Sequence, residues 1–502
     1  MRPAWVWVLG ALLAPMLGFA EGAVQDNYTK LCAECHGAQR LGGMGPALLP
    51  ENLSRIRKAE IKQVITDGRP LTQMPSFKGQ LSEEAISALA DFVLTSPQTS
   101  IEWNAQDISG SHIVTHPLGS LPDKPLFDAD LMNLFLVVEL GDHHITLLNG
   151  DTFEPIHRFK TRFALHGGPK YSPDGRYVYM ASRDGWVSKY DIYNLEMVAE
   201  IRAGINARNL AVSSDGKWVM VANYLPHSLV VLDAANLALK QVIPVQSGAN
   251  SSRVSAVYNA PPRNSFVAAL KDLKEVWEFP YGDKPVDSTW VPRKIETSDY
   301  LDDFFFDPEY KHLLGATRND EAKKDIDGGQ VIDMDTGKLV SGLPISGMPH
   351  LGSGITWEQN GRRIMASPNL KENKISFIDM TDWKVIKEIQ TEGPGFFMRS
   401  HNDSPYAWAD VFFGANKEAV HIIDKQKLEI VKTLRPAKGK TAAHVEFTKD
   451  GKYALLSIWD MDGAVIVYDA NTLEEIKRLP MVKPSGKYNV YNKTRYEDGT
   501  SH

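Results

Sequence analysis

The sequence predicts a small all-α domain followed by an all-β, eight-bladed β-propeller. The helical domain is indicated by amphipathic segments between residues 21 and 97, around a motif that holds both cysteines of the 502-residue chain. The propeller is indicated by eight apolar strands that end in Asp, Glu or Asn at intervals of 42, 42, 45, 55, 46, 45 and 45 residues. A period near 45 residues with short strands is typical of propellers, whereas paired β-sandwiches do not keep so even a spacing.

Residues 1–20 are predicted to be a secretory signal peptide. Arg2 precedes an apolar run from Trp5 to Leu17, and the small residues Gly18 and Ala20 stand before the expected cleavage site. An apolar run of about 13 residues is too short to span a bilayer. We therefore expect a mature chain that begins near Glu21, lies in the periplasm and does not insert into the membrane.

The motif Cys32-Ala33-Glu34-Cys35-His36 predicts a covalently attached c-type haem. In C-x-x-C-H the two thiols form thioethers to the haem vinyl groups, and the adjacent His binds the iron. A redox dithiol or half of a zinc site also uses C-x-x-C. The adjacent His36 disfavours a redox dithiol. The lack of other cysteines weakens the case for a zinc site.

The rest of residues 21–97 supports this interpretation. Residues 58–67 have a helical period, and Ser82 is positioned to cap a last helix with apolar residues on one face. A Met-Pro pair at residues 74–75 lies between these helices. This order resembles class I cytochrome c domains and implies that Met74 is the second axial ligand of the haem, with Met44 as the competing candidate. His/Met ligation suits electron transfer, and residues 98–110 follow as a predicted linker.

Two repeats organise the predicted propeller at residues 111–502. One is a turn followed by an aromatic or apolar strand, at Ser172–Tyr177, Ser214–Trp218, Gln359–Arg362 and Lys449–Tyr453. The other is the apolar strand that closes each unit, at Leu148-Asn149, Tyr190-Asp191, Leu232-Asp233, Trp277-Glu278, Ile332-Asp333, Ile378-Asp379, Ile423-Asp424 and Tyr468-Asp469. Eight such endings predict eight blades and a wide central mouth that suits a large flat ligand.

Several histidines stand a few residues before these turns, at what we predict is one register around the mouth. They are His166, His350, His401 and His444, and Arg208 and Asn209 occupy the same register in another blade. A single propeller histidine is more often a structural hydrogen-bonding residue. A group at one register instead indicates a cavity whose imidazoles bind iron or move protons.

The N-terminal cytochrome c domain, the propeller and these histidines together resemble the cytochrome cd1 nitrite reductases over nearly the whole chain. The likeness is carried by Leu165–Gly168, Arg183–Gly185 and the C-terminal segment Pro484–Asn492. It implies that the propeller binds heme d1 through His166. It also places Arg183, Arg208, Tyr224 and Arg253 around the carboxylates of the tetrapyrrole, which suits the bidentate geometry of arginine.

The differences between this sequence and the reductases predict a different reaction. The reductases use two distal histidines to protonate nitrite, and this chain offers His350 at one position but only Asp302 at the other. His444 stands where the reductases tend to have an amide. The pattern resembles the paralogous dihydro-heme d1 dehydrogenases (NirN type), which form the acrylate double bond of heme d1. That resemblance implies His166 and His444 as iron ligands and His350 as the catalytic base.

The predicted function is thus an oxidoreductase that desaturates the propionate of dihydro-heme d1, with electrons leaving through heme c. The expected partners are the tetrapyrrole, a cytochrome cd1 nitrite reductase that receives heme d1, and small periplasmic electron carriers. A net charge of −7 argues against a nucleic-acid partner, which would need a basic face. A nitrite reductase and a non-enzymatic heme d1 carrier remain as alternatives.

Overall fold

A computed structural model describes residues 15–54, 56–69, 74–97, 101–282, 285, 288–317 and 328–495. The chain forms two compact units, Met1–Ile101 and Glu102–His502. Within the described ranges, no helix is long and apolar enough to cross a membrane. The predicted signal peptide lies outside the described residues as far as residue 14, and residues 15–20 belong to the first helix.

The first unit is helical, as predicted. Its helices are α1 (Pro15–Leu31), α2 (Ala33–His36), α3 (Pro50–Leu53), α4 (Lys58–Asp67) and α5 (Glu83–Val93). Ser82 caps α5, because its hydroxyl accepts a hydrogen bond from the Ala85 N–H at 3.2 Å. The ends of the unit pack together through the Tyr28 and Phe92 rings, 5.4 Å apart. The Tyr28 hydroxyl also donates to the Gly37 carbonyl at 2.7 Å, directly after the C-x-x-C-H segment.

The second unit is built almost entirely from strands, preceded by helix α6 (Ala105–Gly110) and closed by helix α7 (Val490–Arg495). In chain order the first strands are β1 (Ile113–Val114), β2 (Leu134–Glu139), β3 (His144–Asn149), β4 (Pro155–Lys160), β5 (Lys170–Tyr171), β6 (Tyr177–Ala181), β7 (Trp186–Asp191), β8 (Glu196–Arg202), β9 (Asn206–Val212), β10 (Trp218–Leu225), β11 (Ser228–Asp233), β12 (Leu239–Pro244), β13 (Gln246–Ser247), β14 (Asn250–Ser251), β15 (Val254–Ala260), β16 (Ser265–Leu270), β17 (Glu275–Pro280) and β18 (Arg293–Glu296).

The strands that follow are β19 (Leu301–Phe306), β20 (His312–Thr317), β21 (Gly328–Asp333), β22 (Lys338–Pro344), β23 (Ile355–Gln359), β24 (Arg362–Pro368), β25 (Lys374–Asp379), β26 (Lys384–Gln390), β27 (Met398–Arg399), β28 (Tyr406–Asp410), β29 (Val420–Asp424), β30 (Glu429–Leu434), β31 (Ala442–Phe447), β32 (Tyr453–Ile458), β33 (Gly463–Asp469), β34 (Glu475–Met481) and β35 (Pro484–Asn489).

These strands form eight antiparallel blades, which confirms the predicted propeller and its blade count. Seven blades use four consecutive strands, from β5–β8 to β31–β34, with β1 added to the outer edge of β8 and β13–β14 forming a separate hairpin. The remaining blade has the order β35-β2-β3-β4, so the C-terminal strand is its innermost strand. Val137 pairs with Lys487 across this join. Pairing the two ends of the chain closes the circle and removes two free sheet edges.

The apolar strands with acidic endings are the third strands of the blades, not the closing ones as predicted. A more polar fourth strand follows each, such as β26, where exposed and half-buried residues alternate. The terminal Asp or Asn accepts backbone N–H bonds from the next turn, as Asp469 does from Asn471 at 2.9 Å and Thr472 at 2.8 Å. The period near 45 residues therefore marks a repeated turn.

The predicted linker at residues 98–110 contains regular structure. Helix α6 begins after Asn104, whose side chain accepts hydrogen bonds from Gln106 and Asp107, and the buried Ile108 joins a core cluster of the second unit. The preceding Trp103 donates its indole N–H to the Arg202 carbonyl at 2.9 Å. Residues 103–110 thus belong to the propeller unit, and residues 98–100 lie outside the described part of the chain.

Candidate functional site

The C-x-x-C-H segment in the first unit has the geometry that a c-type haem requires. Cys32 and Cys35 are half-buried thiols on either side of the first turn of α2. The buried His36 donates its Nδ1–H to the Pro46 carbonyl at 2.8 Å, which leaves Nε2 as the nitrogen with a lone pair. A Cβ on Gly45 would lie 2.7 Å from the His36 ring, so the loop closes over the imidazole only with glycine there.

Of the two methionines considered as the second haem ligand, Met44 has its side chain 72% exposed, in the loop next to Gly45. Met74 is half-buried, and its carbonyl accepts a hydrogen bond from the Arg69 N–H at 3.1 Å, across the loop that follows α4. The exposure of Met44 weakens that candidate. Met74 remains the proposed ligand.

In the second unit, the predicted site residues share one face of the propeller because of strand direction. The innermost strands begin at this face, and the turns between second and third strands return to it. Arg183 lies in such a turn of one blade and Tyr224 at the end of β10 in another. His401 lies instead between β27 and β28, a first-to-second strand turn at the opposite face. The prediction that His401 shares the register of the other histidines is therefore wrong.

A β-bulge near the start of the innermost strands produces the shared register. The pairing register shifts by one residue at Arg208 in β9, Ser255 in β15, Asp302 in β19, His444 in β31 and Ser485 in β35. In two blades the same place widens into a short loop. The bridges Leu165↔Ser182 and Pro349↔Asn369 stand one residue before His166 and His350. Bulges re-aim side chains and are common beside active sites.

His166 is held by the next blade. Its Nδ1–H donates to the Arg208 carbonyl at 2.6 Å, which makes Nε2 the acceptor nitrogen. The Arg208 guanidinium donates to that Nε2 at 2.9 Å and, through Nε, to the Ser255 carbonyl at 2.9 Å. The Nε2 lone pair of His166 is therefore engaged by the Arg208 guanidinium, and it becomes available to a metal ion only when that guanidinium moves away.

His350 has the same hydrogen-bond pattern. Its Nδ1–H donates to the Phe396 carbonyl at 2.6 Å, and its Nε2 lies 3.8 Å from Asp303 Oδ2. The other oxygen of Asp303 accepts a hydrogen bond from the Tyr258 hydroxyl at 3.1 Å. The ring packs against Phe396, with centroids 4.2 Å apart. Two predicted site histidines are thus fixed in one tautomer by a short bond to a backbone carbonyl.

His444 is fixed differently. It adopts a left-handed backbone conformation with φ of +55°, and its ring lies between those of Phe397 and Tyr488, at centroid distances of 4.8 and 5.3 Å. Its Nδ1 accepts only a long contact from the Lys487 N–H, 3.4 Å. Burial lowers the pKa of His444 well below its ordinary value, so the imidazole is neutral.

Contacts between these residues close a circle around the mouth. His166 is two residues from Gly168, where a Cβ would lie 2.7 Å from the Tyr488 ring. Tyr488 contacts His444, which contacts Phe397. Phe397 and His350 have ring centroids 6.3 Å apart, and His350 lies beside Asp303, which accepts a hydrogen bond from Tyr258. Arg208, which donates to His166, is close enough to Tyr258 to interact with it electrostatically. Residues far apart in sequence therefore line one opening.

Two of the other predicted carboxylate-binding residues, Arg253 and Tyr224, form a second cluster at the same face. The Arg253 guanidinium makes a bidentate pair with Asp272 at 2.8 and 2.6 Å and lies 5.6 Å from the Tyr224 ring centroid. Lys271, which the sequence analysis did not single out, pairs with Asp302 and lies 5.7 Å from the same ring. Arg183 is bound through its N–H to the Ala164 carbonyl at 3.1 Å, beside the His166 loop.

A layer of buried charges lies below the mouth. Arg399 and Glu446 form an ion pair of 2.6 Å with side chains 4% and 0% exposed. Burial lowers the pKa of Lys487 to about 7 and that of Lys170 to about 8, and raises the pKa of Asp410 to about 7. These groups stand on innermost strands or next to them, so the layer is polar while the spaces between blades are apolar.

Asp303, Tyr258, Phe397, Asp410 and Tyr488 were not predicted as site residues. Tyr488 lies in the segment Pro484–Asn492 and Asp303 in the segment Tyr300–Phe304, both of which the sequence comparison with the reductases had singled out. The bulge register contains Asp302, next to Asp303, and would have pointed to that strand. Phe397 and Asp410 carry no sequence signal of their own, because their place depends on the loop before β27 and on pairing between two blades.

Residues 129–493 match the protein family described as the cytochrome D1 heme domain, and residues 20–93 match the family described as cytochrome c oxidase, cbb3-type, subunit III. The chain belongs to the cytochrome D1 heme domain family. It is 58% identical to the dihydro-heme d1 dehydrogenase of Pseudomonas aeruginosa, over 98% of this chain and 99% of that protein. It is 24% identical to a nitrite reductase of Stutzerimonas stutzeri, over 94% of this chain and 92% of that protein.

A solved structure gives the same assignment. The dihydro-heme d1 dehydrogenase NirN in complex with DHE superposes with a TM-score of 0.90 at 58% identity, covering 94% of this chain and 99% of that one. The likeness therefore extends over both units. It confirms the resemblance to the dehydrogenase group that the sequence indicated.

Proposed function

We propose that this protein oxidises dihydro-heme d1 to heme d1, by desaturating a propionate side chain to an acrylate. The observation that carries the proposal is the near full-length identity of 58% to a dihydro-heme d1 dehydrogenase, on a propeller whose mouth gathers the three predicted histidines. Conversion of –CH2–CH2– to –CH=CH– releases two protons and two electrons. The chain must therefore hold the tetrapyrrole, accept protons and carry electrons away.

Cys32, Cys35 and His36 would hold a heme c, which would supply one-electron transfer away from the substrate. The fixed tautomer of His36 and the glycine over its ring fit a covalent haem. Met74 is the proposed second ligand, because the Met-Pro loop of class I cytochrome c domains delivers that group. The final acceptors are proposed to be small periplasmic electron carriers.

For the substrate iron we propose His166 and His350 as the two axial ligands. Both imidazoles donate Nδ1–H to a backbone carbonyl at 2.6 Å, the arrangement by which proteins orient metal-binding histidines and raise their basicity. The sequence analysis assigned the second position to His444. The long contact at Nδ1 of His444 fits that role less well.

His444 then becomes the proposed proton acceptor. No short hydrogen bond of the kind made by His166 and His350 fixes its tautomer, since its Nδ1 makes only the 3.4 Å contact with the Lys487 N–H. It lies at the aromatic wall formed with Phe397 and Tyr488, where the edge of a bound macrocycle can reach. The assignment reverses the roles that the sequence gave to His350 and His444.

The carboxylates of the tetrapyrrole are proposed to bind the cations around the mouth. Arg208 stands beside His166, and Arg183 lies in the turn next to it. Arg253 is already neutralised by Asp272, so it contributes less charge than Arg208 and serves chiefly to fix Tyr224. Guanidinium groups that hold a carboxylate in register place the –CH2–CH2– unit at a fixed distance from the base.

One pair of variants separates the two assignments. With His350→Ala, we expect the absorption and electron paramagnetic resonance spectra of bound dihydro-heme d1 to lose one axial nitrogen. With His444→Ala, we expect those spectra to persist while turnover falls by about 100-fold, as for loss of a general base. The opposite result would restore the assignment made from the sequence.

The reaction itself is tested with the purified haem c protein and dihydro-heme d1. We expect the oxidised pigment to form with two equivalents of reduced carrier per tetrapyrrole. Binding and transfer to a cytochrome cd1 nitrite reductase without this two-electron change would indicate a carrier instead. Appreciable nitric oxide from nitrite and an electron donor would indicate a reductase. A reductase is also the proposed recipient of the finished heme d1 in the periplasm.

A further inference from the structure

Asp410 is a buried carboxylate at the end of β28, with 3% of its surface exposed, and the sequence analysis gave it no role. Its Oδ1 accepts hydrogen bonds from the Phe396 N–H at 2.8 Å and the Phe397 N–H at 3.0 Å. Its Oδ2 accepts from the His444 N–H at 3.4 Å. One carboxylate thus joins the loop before β27 to the bulge of the next blade.

We propose that Asp410 is a positioning residue that sets both His350 and His444 for the reaction. The roles of these histidines rest on the proposed function, but their attachment to Asp410 does not. Asp410 reaches His350 through a peptide group and His444 through the backbone.

The path to His350 runs through a single peptide unit. The Phe397 N–H that donates to Asp410 belongs to the same peptide as the Phe396 carbonyl, and that carbonyl accepts Nδ1–H of His350 at 2.6 Å. A carboxylate on one side of a peptide polarises it, so the carbonyl on the other side becomes a stronger acceptor. The series therefore raises the electron density of the imidazole, as a direct carboxylate partner does for metal-binding histidines.

Asp410 affects His444 through the conformation of its backbone. A non-glycine residue at φ +55° is uncommon and persists only where its surroundings hold it. The N–H of His444 is held by Asp410, and its carbonyl accepts from the Lys487 ammonium group. Fixing both backbone groups directs the His444 ring toward Phe397 and Tyr488.

The alternative is that Asp410 only satisfies buried N–H groups. The variant Asp410→Asn distinguishes the two, because an amide keeps one acceptor oxygen but loses the negative charge and places an NH2 group against one of the donors. Asp379→Asn is the matched control. Asp379 is also buried, with 6% of its surface exposed, and it accepts a hydrogen bond from the Thr381 N–H at 2.9 Å. It caps the turn after a third strand, and in another blade Asn149 caps the corresponding turn, so an asparagine is compatible with this position.

The first measurement needs no tetrapyrrole. Protein labelled with 15N-histidine is compared by NMR as wild type, Asp410→Asn and Asp379→Asn, with His350→Ala and His444→Ala for assignment. We expect the imidazole resonances of His350 and His444 to shift in Asp410→Asn and to stay in place in the control. Unchanged resonances in Asp410→Asn would overturn the proposal.

The second measurement uses bound dihydro-heme d1. We expect Asp410→Asn to alter the ligand-field spectrum and to lower kcat by about 10- to 100-fold, with KM changed less than about 3-fold. An equal loss in the control would show a general effect of buried substitutions and would also overturn the proposal. If wild type binds the tetrapyrrole without oxidising it, the proposed function fails, while the NMR comparison still decides on Asp410.

If Asp410→Asn does not fold, hydrogen exchange in the wild-type protein tests the first requirement of the proposal, that the carboxylate holds these three amides. The amides of Phe396, Phe397 and His444 should then exchange slowly, although Phe396 lies outside the strand ladder. Rapid exchange at all three amides would show that the carboxylate does not hold them.

Discussion

The buried pair of Arg399 and Glu446 allows a prediction whose size follows from the structure. The two groups are 2.6 Å apart with side chains 4% and 0% exposed, and Glu446 also accepts from Asn492 at 3.0 Å. Lys487 and Lys493 lie close enough for the pair to influence their pKa values. We expect Glu446→Leu to lower the free energy of unfolding by about 3–5 kcal/mol, the usual cost of leaving one partner of a buried pair.

The companion variants test the physical reason. Arg399→Met should lower the free energy of unfolding by a similar amount. The double variant Arg399→Met, Glu446→Leu should recover most of that stability, because it buries apolar side chains in place of charges. The energies of the single variants should therefore not add. If they add, or if Glu446→Leu unfolds at the same denaturant concentration as wild type, the pair does not have this role.

Tryptophan fluorescence during guanidinium chloride unfolding is a suitable assay. Every tryptophan beyond residue 20 belongs to Glu102–His502, so the signal reports on the propeller unit. The tetrapyrrole-free protein should be used, because a ligand that binds only the folded state adds its own stabilisation.

Three further outcomes are expected. Gly352→Ala should lower kcat about 10- to 100-fold in steady-state assays. The reason is that a Cβ at this position would lie 1.9 Å from Asp303 Oδ2 and would push that carboxylate away from His350. An unchanged rate would contradict this prediction. Cys32→Ser should leave haem attached through one thioether or none, seen in the haemochrome spectrum and protein mass, and an unaltered spectrum would exclude covalent attachment there. Met74→Ala should lower the haem c reduction potential in a redox titration, and no change would favour Met44.

The fold followed from local patterns because those patterns are repeated. Each third strand ends in a residue such as Asp469 that caps the next turn, and this local requirement recurs in almost every blade. The same regularity does not show the place of the capped strand within its blade, and the prediction that it closes the blade was wrong, since it is the third of four strands. The fourth strands, such as β26, have only one protected face and give a weaker signal.

The site could be predicted only in part. His166, Arg208, His350 and His444 were found because they precede the turns at similar distances. His401 met the same criterion and lies at the other face, since counting residues does not show on which side of a turn the innermost strand begins. Asp303 and Asp410 were missed, because buried carboxylates at strand ends resemble turn caps in sequence.

The sequence alone determined the haem attachment, the two-part organisation and the number of blades, since each depends on neighbouring residues or on a repeat along the chain. The tertiary structure decided which histidine has which surroundings. His350 and His444 differ in sequence only by position, but one is bound to a carbonyl of the adjacent blade and the other is held in a left-handed bulge. Those differences arise from contacts between blades, which residues close in sequence cannot encode.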